Sequence, residues 1–104
     1  MAEKVKEKLM GELTKDEFTA LEKQHGKLFT IEGEGKVCYL KRPGRRELKH
    51  AGSEGVDDIT YNEILMRDCF VAGDKAFLDD DYYFLGAMGK LSEVLEYAQV
   101  ELKK

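Results

Sequence analysis

The chain has 104 residues, with 17 Lys or Arg against 21 Asp or Glu and a formal charge of −4. That length suits one domain able to bury a modest core without metal or disulfide support, and 42% apolar residues are too many for a disordered polypeptide. No apolar run approaches a membrane span, and "MAEKVKEKLM" lacks the unbroken apolar stretch of a secretory signal, so neither membrane nor export is expected and the expected location is cytoplasmic.

Residues 1 to 13 read as a flexible N-terminal lead, because Gly11 interrupts the helical spacing of Val5, Leu9 and Met10. Residues 14 to 104 read as a single globular domain. Thr14 with Glu17 forms a capping-box signature and Gly26 a stop, which predicts a helix over 15–25 with Phe18, Leu21 and Leu13 on its inner stripe. Two β-rich runs follow, Leu28 to Ile31 and Val37 to Leu40, separated by a Gly/Glu turn; they predict a β-hairpin. The second run is continuously apolar, so both of its faces should be covered.

Pro43 ends that strand and suits the entrance of a short basic helix closed by Gly52 and Gly55. Arg45, Arg46 and Lys49 would project from it, with Lys41 and Arg42 at its entrance. Asp58 can cap a helix over 59–72, carrying Tyr61, Ile64, Leu65, Cys69 and Ala72 on one stripe and Met66, Phe70 and Val71 on a second face, before Gly73 stops it. After the acids at 79–81, Phe84, Met88, Leu91, Leu95, Ala98 and Leu102 recur at helical spacing, which predicts a long amphipathic helix over 81–102 with Ala87 and Val94 widening its stripe. Gly86 and Gly89 weaken the first half of that helix. The expected fold is therefore α+β and mostly helical: an N-terminal helix, one β-hairpin, a short basic helix, then two longer packed helices.

Chemistry-bearing groupings are absent from the pattern. "EGEGK" lacks the earlier glycine and the following Ser or Thr of a phosphate loop. The consecutive acids at 79–81 lack the alternation of a calcium loop and suit a helix start instead. Cys38 and Cys69 stand apart without metal-ligand spacing and read as core residues. His25 and His50 have no neighbouring nucleophile, and neither Ser53 nor Ser92 sits in a nucleophile elbow. No catalytic residue, metal or cofactor is expected, and the chain does not read as an enzyme.

The segment from Lys36 to Lys49 sets six basic residues against the single acid Glu47. One reading is a phosphate-binding surface, and a small nucleic-acid-binding regulator using residues 36–50 is the alternative function. It is disfavoured by the acidic chain, by the missing helix-turn-helix partner and by the lack of interleaved aromatics apart from Tyr39. The preferred reading is a docking face complementary to the acidic region 54–81, within one molecule or between subunits.

The run of "HGKLFTIE", "KVCYLKRPGRRELKHAG", "ITYNEILMRDCFVAGD" and "DDDYYFLGAMGKLSEVLE" resembles small phage or prophage tail assembly chaperones over about residues 14 to 97. Its most specific pieces are Lys41, Arg42, Pro43 and Arg45 at the strand-to-helix junction, Asn62 and Glu63 in "NEIL", and "AGD" from Ala72 to Asp74. The resemblance implies a non-enzymatic protein of the host bacterial cytoplasm. It would bind the tape measure protein, keep that long helical client soluble during tail morphogenesis and be absent from the finished particle, without metal or cofactor. Self-association is a further expectation. Phe84, Met88, Leu91 and Leu95 read as this domain's own core, whereas Tyr82, Tyr83, Leu85 and Val100 fall outside the main stripe. The expected partner-binding residues are thus Lys41, Arg42, Arg45, Arg46, Lys49, Tyr82, Tyr83 and Leu85.

Overall fold

A computed structural model describes residues 9–54, 57–95 and 97–103. In chain order its elements are α1 (Lys15–His25), β1 (Leu28–Gly33), β2 (Lys36–Lys41), α2 (Arg45–Glu54), α3 (Asp58–Cys69), β3 (Phe70–Gly73), α4 (Ala76–Asp79) and α5 (Asp81–Met88), followed by a 3-10 turn, Leu91–Val94. The fold is mostly helical α+β with one three-stranded antiparallel sheet in the order β1-β2-β3.

Local signals set the first half. The Glu17 N–H donates to Thr14 Oγ1 at 3.1 Å and the Thr14 N–H donates to Glu17 Oε1 at 2.8 Å, which closes the capping box of α1. The hairpin turns through Glu34 and Gly35, both at positive φ, 45° and 83°. That is the handedness a two-residue hairpin requires, and it places a non-glycine residue in the left-handed region.

Strand β2 is apolar on both faces because both are covered. On one face Leu28, Val37 and Tyr39 pack with Leu13, Phe18 and Leu21, and the Leu13 N–H donates to the Tyr39 hydroxyl at 3.1 Å. On the other, Cys38 and Leu40 join Leu65, Met66, Cys69, Phe77, Phe84, Ala87, Leu91 and Val94 in the larger core. Helix α1 thus lies on one side of the sheet and the remaining helices on the other.

Three expectations change. The helix expected over 59–72 is capped by Asp57 rather than Asp58, through a 2.7 Å bond from the Thr60 N–H, and it ends at Cys69. Phe70, Val71 and Ala72 leave it to form β3, pairing with Leu40 and Tyr39 across a bulge. The second edge of β2 is buried, and its main-chain groups need partners that a continued helix could not supply. The long helix expected over 81–102 stops at Met88, becomes the 3-10 turn after Gly89, and the described residues beyond Val94 lie outside any helix. Gly86 and Gly89 weaken it where Leu91 and Val94 must turn into the core. Gly52 does not close the basic helix but lies inside α2; Gly55 and Val5 are outside the described residues.

Residues 9–13 are joined to the hairpin. The Met10 N–H donates to Gly35 O at 2.9 Å and the Val37 N–H donates to Met10 O at 3.0 Å, while the Asp74 N–H donates to Val37 O at 2.9 Å. Three segments therefore cross at Val37. Gly73, at φ 120°, permits the crossing: a Cβ there would meet the Cys38 Cα and lie 2.6 Å from Val37 O.

Gly73→Ala should destabilise the fold by more than about 2 kcal/mol in urea unfolding, since positive φ and backbone overlap act together. Gly52→Ala, in open space within α2, should stabilise by about 0.5–1 kcal/mol in the same assay. Cys38 and Cys69 are buried free thiols whose pKa values burial pushes up to about 12. A thiol reagent at neutral pH should label neither in the folded protein and both in denaturant.

Candidate partner-binding surfaces

The basic segment folds as a corner between β2 and α2. Glu47, the one acid within it, organises that corner: the Gly44 N–H donates to its Oε1 at 2.8 Å and Lys41 Nζ approaches its Oε2 at 3.2 Å. Partial burial works against ionising Glu47, but the Gly44 N–H and Lys41 outweigh it and hold the carboxyl below its ordinary range. Pro43 is buried, and its carbonyl accepts the Tyr97 hydroxyl proton at 2.7 Å. Arg42, Arg45, Arg46 and Lys49 are exposed, and the last three make no ion pair with the described residues.

His50 and Lys36 both reach the acidic region within the molecule. His50 Nδ1 lies 2.6 Å from Asp68 Oδ2, joining α2 to α3, and Lys36 Nζ lies 3.6 Å from Asp74 Oδ2. Lys41 is committed to Glu47, so of the five basic candidates Arg45, Arg46 and Lys49 form the outward patch.

The apolar candidates lie at the other end of the hairpin, where α5 packs on β1 and α4. The Tyr82 hydroxyl donates to Glu34 Oε2 at 2.6 Å and the Tyr83 hydroxyl to Glu34 O at 3.0 Å. The bond to Glu34 raises the Tyr82 pKa above its ordinary value, because ionising the phenol beside a carboxylate is disfavoured. Two tyrosines thus tether Glu34, the one non-glycine residue at positive φ among the described residues. Tyr83 is half-buried, edge-on to Phe77 with ring centroids 5.3 Å apart, and Lys36 Nζ stands 5.2 Å from its ring centre. It is principally a packing residue. Tyr82 and Leu85 remain open at 64% and 49% exposure.

The basic and apolar candidates therefore form two patches, not one: α2 packs chiefly on α3, and α5 on α4, α3 and β1. Of the expected core stripe, Phe84 and Leu91 are buried and Met88 packs against the core, but Leu95 is exposed. Sequence reasoning missed a groove between β1 and α5, bordered by Ile31, Phe77, Gly86 and Ala87 and about 360 Å³ in volume. Only the tertiary packing brings that strand and that helix together, and no linear signal marks β1 as an edge strand.

Among the described residues no cluster of His, Cys, Asp or Glu is arranged to hold a metal ion, and no helix is long and apolar enough to cross a membrane. No family model, curated protein or solved structure matches this chain.

The His50–Asp68 pair sets a pH dependence. The hydrogen bond to Asp68, then its charge, raise the His50 pKa above its ordinary 6.5, so the contribution is complete below that value and disappears as pH rises through the folded-state pKa. NMR titration should place the His50 midpoint above 6.5, and Asp68→Asn should lower it and flatten the loss of stability as pH rises above 6.5.

Proposed function

We propose that this chain is a non-enzymatic assembly chaperone of the phage or prophage tail type, acting in the bacterial cytoplasm on the tape measure protein. The observation that carries the reading is the surface of α5. The core is completed by Phe84 and Ala87 on its inner side, yet Tyr82 and Leu85 stand exposed on the outer one. An aromatic and a leucine presented together on a rigid helix suit the apolar stripe of a helical client, which a holdase must cover until its assembly partner replaces it. The resemblance in sequence order and short motifs implies the client; the fold supplies a small scaffold with that strip on one end and a cationic patch on another.

The chemistry of the ionisable groups supports a binding role. The side-chain pairs Lys41 with Glu47, His50 with Asp68 and Tyr82 with Glu34 each join two elements or brace a turn. Each has a structural use where it stands.

Co-expression tests the proposal. The tape measure protein should be recovered soluble and in complex with the full chain, and Leu85→Asp with Tyr82→Ser should weaken that complex by about tenfold or more while circular dichroism is unchanged. Unchanged client solubility and no complex with the parent chain would refute it. The exposed Arg45, Arg46 and Lys49 favour nucleic-acid binding as the second reading. Under that reading DNA or RNA affinity falls steeply with salt and drops in Arg45→Glu plus Arg46→Glu; a flat titration at low salt eliminates it.

A further inference from the structure

The sheet has two edge strands, β1 and β3, and β1 is the one that borders a groove. β3, continued by Met10 beside Lys36, occupies one side of β2, and β1 occupies the other. In an antiparallel ladder, residues bonded to one neighbour alternate with residues whose N–H and C=O point the opposite way. Gly33 and Lys36 close the two-residue turn, so Ile31 and Phe29 bond to β2 while the main-chain groups of Leu28, Thr30 and Glu32 point outward. None of these three has a main-chain partner beyond β2 among the described residues.

A groove follows this edge. A cleft of about 360 Å³ separates residues 31–34 from Phe77, Gly86 and Ala87, and another of about 340 Å³ separates residues 29–32 from Glu93 and Val94. They share Ile31, Glu32 and Lys90, so they are continuous. One wall is β1, the other α5 and the 3-10 turn, and a sheet edge beside such a groove is the arrangement that receives an added strand.

The same chain carries a segment with the matching pattern. Residues 97–103 lie outside any helix or strand, and Val100 and Leu102 are 86% and 84% exposed. They alternate with Gln99, Glu101 and Lys103, the period of a strand with one apolar face. Within one molecule this segment does not occupy the groove: none of residues 97–103 lines either cleft, and Tyr97 is bonded to Pro43 instead.

We propose that residues 99–103 of a second copy add to the open edge of β1 as a fourth strand, with Val100 and Leu102 turned into the groove. Five extended residues span roughly 16 Å, the length of the row from Leu28 to Glu32. The charges choose a parallel direction, which sets Lys103 beside Glu32 and Glu34 and away from Lys27. Reciprocal exchange of the two tails closes a two-fold dimer.

Sedimentation velocity on the full chain over a dilution series tests this independently of any client. The parent chain should show a concentration-dependent dimer, and deletion of residues 99 to 104 should leave only monomer with the same circular dichroism. Glu32→Lys should weaken association by about tenfold, and adding Lys103→Glu should restore it. Thr30→Pro, which removes an outward N–H and not a β1–β2 bond, should also abolish the dimer. A parent chain that is monomeric at every concentration, or a dimer undiminished by the deletion, would overturn the proposal.

Discussion

The main chain of β2 must be satisfied on both edges while its side chains are buried on both faces, and the other elements are placed by that requirement. Val37 shows it most directly. Its side chain packs under α1, its N–H donates to Met10 and its C=O accepts from Asp74. Water cannot reach such groups, so leaving either unpaired would cost more than a typical hydrogen bond contributes. The N-terminal residues from Leu9 onward, β3 after α3, and the positive φ of Gly73 follow from that need.

The electrostatics are arranged around the same frame. The basic segment at the exit of β2 is held by its single acid, Glu47, which caps the turn into α2 and engages Lys41. His50 and Lys36 reach acids on neighbouring elements, so part of the charge asymmetry along the sequence is neutralised locally. What remains outside, Arg45, Arg46 and Lys49, is a surface property with little bearing on the fold.

The shortness of α5 has the opposite consequence. By stopping at Met88 the chain brings Leu91 and Val94 back into the core through a 3-10 turn, and Leu95, Val100 and Leu102 are left outside it. A single straight helix would have kept Leu95 and Leu102 on the stripe of Phe84 and Leu91. The break therefore separates a buried stripe from an exposed apolar remainder, the kind of surface the proposed protein-binding role would use.

Residues acting on their near neighbours were legible in the sequence. Thr14 and Glu17 close a capping box three residues apart, two short apolar runs flank a Glu-Gly turn, and Pro43 starts a basic helix; each depends on contacts within a few positions. Tyr82 and Leu85 could likewise be seen to fall off the main stripe. Phe70 to Ala72 could not be read as a strand, because their helical periodicity is sound locally and only the bare edge of β2, some 30 residues away in sequence, overrides it. The groove between β1 and α5, and the attachment of Tyr82 and Tyr83 to Glu34, likewise depend on which elements meet. Local hydrogen bonding and apolar periodicity thus determined the starts of α1 and α5, the hairpin and the fold class. Tertiary structure decided the third strand, the break after Met88 and the open edge, because those are set by main-chain groups and apolar faces seeking partners distant in sequence.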